Sequence, residues 1–164
     1  GQIDWTKLTG DLGPAEFAPG RQRTIISHER ANFAVLICFE SVFPDLVRRH
    51  VLGGAQVLIN ITNDSWFGRS AGPYQHALLN AMRAIENRVA IARSATSGQS
   101  LFIDQFGRRY QTSEIFTEAA LVGNLPVAQS GSFYSRNGNV FAHSCLLFSA
   151  FCLIALRVRN RTDL

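Results

Sequence analysis

One stretch decides the fold of this chain: residues 35–44, which read VLICFESVFP. An apolar run ends at Ile37 and predicts a buried strand, Cys38 follows directly, and the segment from Pro44 onward has helical periodicity. A turn between strand and helix exposes its side chain at the carboxyl edge of the sheet, where open α/β sheets bind their ligands. The helix N-terminus can stabilise a thiolate, and the next backbone amide can donate to an oxyanion. Cys38 is therefore a candidate nucleophile, although a buried structural cysteine would also fit this stretch.

Composition excludes some classes of protein. The chain has 164 residues, enough for one domain with a substantial core, and its formal net charge is +4. The basic residues are scattered arginines apart from a group near the C-terminus, and Lys7 is the single lysine. Without a basic stripe interleaved with aromatics, nucleic-acid binding is not predicted. Three cysteines cannot all pair, and Cys145 and Cys152 lie in an apolar run, so no disulfide framework is predicted.

A βαβ unit is predicted around Cys38. The helix at 45–52 ends at Gly53 and Gly54, and the apolar residues within 55–61 predict a second strand. A strand, helix, strand order of this length implies parallel strands, so the loop at 62–73 should lie at the same sheet edge as Cys38. Its polar residues and Trp66 are typical of a binding surface, but an ordinary loop with its tryptophan anchored in the core fits the local pattern equally well.

The remaining elements extend this α/β pattern. Pro73 stands where a helix begins, residues 74–88 have helical spacing, and Arg83 and Glu86 predict a surface ion pair. His76 lacks a metal-ligand partner one turn away, so we interpret it as structural or substrate-facing and predict no metal site. Further strands are predicted at 89–92, 100–103, 108–112 and 118–127, with a tight turn at 105–107 and a short β-leaning run at 23–27.

Five segments follow from these patterns. Residues 1–22 resemble a loop from inside a larger domain, 23–129 form the C-terminal part of an α/β domain, and 130–139 are a polar linker. Residues 140–156 are almost uniformly apolar and predict one transmembrane helix, with a buried core helix as the alternative. The basic tail, 157–164, contains three arginines, which place it in the cytoplasm and the domain on the other side of the membrane.

Several short motifs occur together in one order. They are Cys38-Phe39-Glu40 after an apolar strand, NDSWFG at 63–68, GPYQH at 72–76, RAIENR at 83–88, and Arg93-Ser94 with Gly98 after it. In this order and spacing they resemble the nitrilase, or carbon–nitrogen hydrolase, superfamily, and within it the apolipoprotein N-acyltransferases. The resemblance covers residues 17–139. It implies an α/β fold, the C-terminal portion of a nitrilase-like α-β-β-α sandwich, followed by one transmembrane helix.

The resemblance implies an enzyme that transfers an acyl chain from a phospholipid, through a cysteine thioester, to the N-terminal amine of a diacylglyceryl-cysteine lipoprotein. Cys38 would be the nucleophile, the Phe39 amide would donate to the oxyanion, and Glu40 would support the thiol. The residues expected to bind substrate are Asn63, Trp66, Phe67 and His76. No cofactor is implied, and the partners are the phospholipid donor, the apolipoprotein acceptor and the membrane. The implied location is the bacterial inner membrane, with the catalytic domain in the periplasm and the C-terminus in the cytoplasm.

Two features depart from the family pattern. The family's general-base Glu and oxyanion-stabilising Lys lie well upstream of the cysteine, whereas here only Lys7, Glu16 and Glu29 precede Cys38, none of them in the family's motif. Phe39 stands where the family commonly has Tyr. We therefore expect this chain to be the C-terminal part of a longer enzyme, inactive by itself. The alternatives are a nitrilase-family amidase acting on small carbon–nitrogen substrates and a non-catalytic, membrane-tethered remnant.

Overall fold

A mixed sheet of five strands, in the order β1-β2-β3-β4-β5, forms the centre of the domain. The computed structural model describes residues 22–129 and 131–162, so the loop predicted at 1–22 lies outside the described residues except for its last residue. The parallel strands are β1 (Phe33–Ile37), β2 (Val57–Thr62) and β3 (Ala90–Ala95), and the antiparallel strands are β4 (Leu101–Ile103) and β5 (Arg109–Tyr110). This sheet confirms the predicted α/β fold class.

Helix α1 (Pro44–Leu52) connects β1 to β2 after a short 3-10 helix, Cys38–Val42. Pro44 begins α1, where its missing N–H has no intrahelical acceptor to lose, and the helix ends at Gly53. Val47 and Val51 are buried on one face of α1, which holds the helix against the sheet while the chain crosses over to β2. The predicted βαβ unit is therefore confirmed.

Helix α2 (Gly72–Asn87) contacts α1 and the sheet and leads into β3. It begins with Pro73 in its first turn and ends at Arg88, which adopts the left-handed conformation with φ 56°. Its inner face is small, because Ala77, Ala81 and Ala84 are buried, and this lets the helix lie close to the strands. With the buried aliphatic residues of the sheet and of α1, these alanines form the hydrophobic core.

The strand predicted at 118–127 is wrong, because the structure has no regular secondary structure there. Leu121 instead lines a cavity with Phe102 of β4, so the segment lies over a face of the sheet. The Tyr110 hydroxyl donates a hydrogen bond to the Asn124 carbonyl at 2.6 Å, and Val122 points away from the domain, 88% exposed. The segment thus lies beside the sheet with most of its residues exposed, and it does not add a strand. The β-leaning run at 23–27 makes only an isolated bridge, Ile26 to Phe33.

The polar segment at 130–139 contains a short helix, α3 (Phe133–Asn137). The Ser132 hydroxyl caps this helix by accepting a hydrogen bond from the Ser135 amide at 2.9 Å, and it also donates to the Glu86 carbonyl of α2. Arg48 of α1 donates to the Ser135 carbonyl at 3.0 Å. These hydrogen bonds attach α3 to both α1 and α2.

The last helix, α4 (Val140–Thr162), contains an apolar stretch, Val140–Arg157, that is long enough to cross a membrane by length and composition. None of that stretch is buried in the domain, and Leu147, Phe148 and Phe151 are among its exposed side chains. The alternative of a buried core helix is therefore wrong. The helix continues past residue 156 into the predicted basic tail, whose residues 163–164 lie outside the described part of the chain.

Candidate active site

Cys38 lies at the carboxyl end of β1, as the first residue of the 3-10 helix. Its φ is 51°, in the left-handed region that residues other than glycine rarely adopt. The residue is partly exposed and not enclosed by the core, so the alternative of a buried structural cysteine is wrong. A sharp, strained turn between strand and helix presents a side chain at the edge of the sheet, as a nucleophile requires.

Glu40 closes the turn around Cys38. Its Oε2 atom accepts a hydrogen bond from the Ile37 amide at 2.7 Å, and the Ser41 hydroxyl donates to the Cys38 carbonyl at 3.2 Å. The carboxylate predicted to support the thiol is thus bonded to the residue just before it. The Phe39 amide lies in the first turn of the 3-10 helix, where backbone N–H groups have no intrahelical acceptor. Such an amide is available to a developing oxyanion.

Aromatic rings meet beside this turn. The centroid of the His76 ring lies 5.7 Å from that of Phe39 and 6.0 Å from that of Phe67, and Phe43 makes an edge contact with Phe39 at 6.1 Å. Phe39 is 52% exposed, whereas His76 is 3% exposed. The structure therefore brings together Phe39, Phe67 and His76, with the histidine buried against two rings that reach the surface.

The loop after β2 holds the other two residues predicted to bind substrate. The Asn63 Oδ1 atom accepts a hydrogen bond from the Ser65 amide at 3.0 Å, which stabilises the start of the 3-10 helix Ser65–Phe67. Trp66 is 72% exposed, so the alternative of a tryptophan anchored in the core is wrong. Asn63 thus shapes the loop, while Trp66 presents its indole at the surface.

A buried polar network beneath Cys38 is absent from the sequence-based prediction. Asn60 of β2 is paired across the sheet with Leu36 of β1 on one side and with Arg93 of β3 on the other. The fully buried Asn60 Nδ2 donates to the carbonyls of Leu36 at 3.1 Å and of Cys38 at 3.2 Å. Arg93 is also buried and donates from Nη1 to Asn60 Oδ1. Three adjacent strands thus supply a chain of hydrogen bonds that ends on the Cys38 carbonyl.

Asp64 compensates the buried charge of Arg93. Its Oδ2 atom accepts a hydrogen bond from Arg93 Nη2 at 2.5 Å, and its Oδ1 atom lies 3.0 Å from the Thr62 hydroxyl and 2.9 Å from His76 Nδ1. Burial alone would raise the pKa of Asp64, but the His76 hydrogen bond and the Arg93 charge outweigh it and lower that pKa. Burial lowers the pKa of Arg93, and the charges of Asp64 and of a Cys38 thiolate oppose that shift. The network therefore holds a compensated cation near the thiol.

The ion pair of α2 lies next to the turn that carries Cys38. Arg83 Nη2 lies 2.8 Å from Glu86 Oε1, which confirms the predicted ion pair, but the two side chains are only 9% and 25% exposed, so its predicted location at the surface is wrong. Arg83 Nη1 also donates to the Val42 carbonyl at 3.1 Å, which joins α2 to the end of the 3-10 helix that carries Cys38. Burial raises the pKa of Glu86, and the neighbouring Arg83 opposes that rise. This pair is therefore part of the support of the turn.

The arrangement is suited to nucleophilic chemistry at a carbonyl group. A partly exposed thiol on a fixed turn can attack a carbonyl carbon, and the adjacent amide can stabilise the resulting oxyanion. Among residues 22–129 and 131–162, no group of three or more His, Cys, Asp or Glu side chains could hold a metal ion. At this edge the structure presents a partly exposed thiol next to a free backbone amide.

The residues that build this site lie within a region that matches a known protein family. The family model described as carbon-nitrogen hydrolase matches residues 6–134, which is most of the chain. The chain belongs to the carbon–nitrogen hydrolase family. A solved structure supports the fold of this family member: Saccharomyces cerevisiae Nit3, a member of branch 10 of the nitrilase superfamily, is 25% identical with a TM-score of 0.53. The match covers 62% of this chain and 40% of Nit3, and it confirms the predicted nitrilase-like fold.

Curated relatives of this carbon–nitrogen hydrolase confirm the resemblance to the apolipoprotein N-acyltransferases. The apolipoprotein N-acyltransferase of Geobacter metallireducens is 40% identical over 156 residues, which are 95% of this chain and 29% of that protein. The protein of the same name from Chlorobaculum tepidum is 36% identical over 154 residues, 91% of this chain and 29% of that protein. The chain thus spans less than a third of the length of these relatives.

Proposed function

We propose that this chain is the C-terminal part of an apolipoprotein N-acyltransferase in which Cys38 carries the acyl chain as a thioester. The observation that carries the proposal is a partly exposed Cys38, held in a left-handed turn next to the exposed ring of Phe39. Relatives that share almost the whole length of the chain and bear this name support the assignment.

The proposed reaction has two acyl transfers. In the first, the Cys38 thiolate attacks an ester carbonyl of a phospholipid, and the Phe39 amide donates to the oxyanion that forms. Collapse of this intermediate breaks the ester C–O bond, and the lysophospholipid leaves as an alcohol after taking up a proton. In the second, the α-amine of a diacylglyceryl-cysteine lipoprotein attacks the thioester and loses a proton, and Cys38 leaves as the thiolate. The general-base Glu and the Lys of the family would belong to an upstream part of the complete protein.

The exposed aromatic rings would receive the acyl chain. Phe39, Phe67 and Trp66 offer apolar surface at the same edge of the sheet as the thiol, and contact with a lipid chain yields about 25 cal/mol per Å² of apolar area removed from water. His76 is buried, so we assign it the role of supporting the rings of Phe39 and Phe67. Asn63 would act on substrate binding through the shape of the loop that carries Trp66.

Helix α4 supports a location at the bacterial inner membrane. Its apolar stretch is followed by arginines, and the preference of basic residues for the cytoplasmic side would place the C-terminus in the cytoplasm and the catalytic domain in the periplasm. A domain attached to the bilayer meets both lipid substrates without moving their acyl chains into water. An amidase acting on small soluble substrates would have no use for this helix, so the acyltransferase explains more of the chain.

Trapping the thioester in the complete protein tests the proposal. The protein in detergent is incubated with phospholipid, and its intact mass is measured together with the mass of the peptide that contains Cys38. We expect the wild type to gain one acyl chain at Cys38, and Cys38→Ala to gain none while still inserting into membranes. The matched control is Cys145→Ala, at an exposed position of α4, which should retain the acyl adduct. Acyl transfer to a lipoprotein by the Cys38→Ala variant would refute the assignment of the nucleophile.

A further inference from the structure

We infer that Arg93 and Asn60 are positioning residues for acyl transfer. Arg93 orients the side-chain amide of Asn60, and that amide fixes the direction of the peptide group between Cys38 and Phe39. The inference rests on the proposed function and deepens it. Both side chains are buried beneath the turn, so they would act through the backbone and not by touching the lipid.

The orientation of the Asn60 amide follows from its neighbours. A guanidinium group only donates hydrogen bonds, so Arg93 Nη1 requires the oxygen of the amide as its acceptor. The Asn60 nitrogen then faces the end of β1 and Cys38, where its two hydrogen-bond partners, the Leu36 and Cys38 carbonyls, are acceptors. A rotated amide would point its oxygen at two carbonyl oxygens and its nitrogen at a donor. One orientation is therefore strongly favoured, and Arg93 is the residue that selects it.

Each of the three nitrogen atoms of the Arg93 guanidinium donates a hydrogen bond. Its Nη2 atom donates to Asp64, and its Nε atom donates to the Gln99 carbonyl at 3.2 Å. Asp64 is in turn fixed by Thr62 and His76. Because the guanidinium has no freedom to follow Asn60, it acts as a fixed reference for the amide. The position of the Asn60 nitrogen is thus determined by β3 and by the loop after β2.

The consequence for catalysis comes from the geometry of the peptide bond. The Cys38 carbonyl and the Phe39 N–H belong to one planar, trans peptide unit, in which the two groups point in opposite directions. Asn60 holds the carbonyl towards the interior, and so the Phe39 N–H is turned outwards, towards the place where an oxyanion would form. The turn needs this support because a non-glycine residue with φ 51° costs about 1–3 kcal/mol. The Ser41 hydroxyl assists at the same carbonyl.

The test is Asn60→Asp in the complete protein. Aspartate keeps the shape of the side chain and an acceptor for Arg93 but has no donor for the Cys38 carbonyl. We expect thioester formation from phospholipid to slow by about 10²–10³-fold, the effect of losing one oxyanion donor, with KM almost unchanged. The matched control is Asn87→Asp: Asn87 is equally buried and donates to the Arg83 carbonyl at 3.0 Å within α2, and this variant should keep the wild-type rate.

Arg93→Lys gives a second test that does not depend on the folding of Asn60→Asp. Lysine retains the charge for Asp64 but lacks the second arm that holds Asn60, so we expect an intermediate decrease in the rate of thioester formation. Equal rates for the wild type and either variant would overturn the inference while leaving the acyltransferase proposal intact.

Alkylation of Cys38 by iodoacetamide separates the two proposals. The alkylation rate depends on how the turn presents the thiol, and it can be measured without acyl transfer. We expect a severalfold change in the alkylation rate for Asn60→Asp and none for Asn87→Asp. If the wild type formed no thioester, the proposed function would fail. The positioning role would then stand on the changed alkylation rate alone, and an unchanged rate would overturn it.

Discussion

Gly98 is the position where one added methyl group tests the buried network most directly. A Cβ atom built there would overlap Asp64 Oδ2 and lie 2.7 Å from Asp64 Cγ, well inside the 3.4 Å at which ordinary contact begins. Asp64 has little freedom to move, because Oδ2 holds Arg93 while Oδ1 holds Thr62 and His76. Gly98→Ala must therefore break the bond between Asp64 and Arg93 or displace the backbone of its own loop.

The magnitude follows from these two routes. Overpacking a well-filled site costs about 1–3 kcal/mol, and leaving one partner of a buried ion pair uncompensated costs about 3–5 kcal/mol. We expect Gly98→Ala to lower the free energy of unfolding by about 3 kcal/mol, which corresponds to a decrease in Tm of about 6–12 °C for a domain of this size. The assay is thermal unfolding of the complete protein in detergent, followed by intrinsic fluorescence.

Two comparisons make this result specific. Gly54→Ala is the control for backbone strain alone, because a Cβ there meets nothing within 4 Å and only the φ of 106° opposes alanine, at a cost of about 1–3 kcal/mol. In an Asp64→Ala background the carboxylate is gone and only the contact with the Asp64 Cβ, at 2.9 Å, remains, so Gly98→Ala should lower Tm less than it does in the wild type. An equal decrease of Tm in both backgrounds would refute the claim that the Asp64 carboxylate is the main obstacle.

Two further predictions concern charged groups. Because the folded state holds the pKa of Asp64 below its ordinary value of 3.8, this carboxylate stabilises the fold above about pH 4, and the stabilisation is lost as the pH falls through the folded pKa. Tm measured between about pH 2 and 5 should be level above about pH 4 and fall below it for the wild type, and this contribution should be missing in Asp64→Asn; parallel profiles for the two proteins would contradict it. Glu40→Gln keeps an acceptor for the Ile37 amide, so we expect an unchanged Tm with acyl transfer slowed by about 10²-fold or more. Turnover near that of the wild type would show that this carboxylate is only structural.

Sequence reasoning succeeded where neighbouring residues carry the signal. The apolar run before Cys38, Pro44 at the start of α1 and the glycines after it are adjacent in the chain, and they predicted the turn and the crossover. Sequence reasoning failed at 118–127, where a largely exposed segment lies beside the sheet without pairing, since local composition does not distinguish that placement from a paired strand. Sequence reasoning also did not predict the burial of Arg83, because the exposure of a helix face depends on what packs against that helix.

By itself, the sequence determined the thiol at a strand end, the βαβ unit and the apolar C-terminal helix. Each of these is formed by residues that are close together along the chain. Only the tertiary structure decided how Asn60, Asp64 and Arg93 act on Cys38. Arg93 is 33 residues from Asn60 and 29 from Asp64, and although Asp64 and Arg93 lie in motifs that the sequence shows, nothing in those motifs says that the two side chains meet. The register of three parallel strands places Leu36, Asn60 and Arg93 side by side, and burial then requires their polar atoms to bond with one another. Pairing across strands, which no local stretch encodes, therefore created the support beneath the nucleophile.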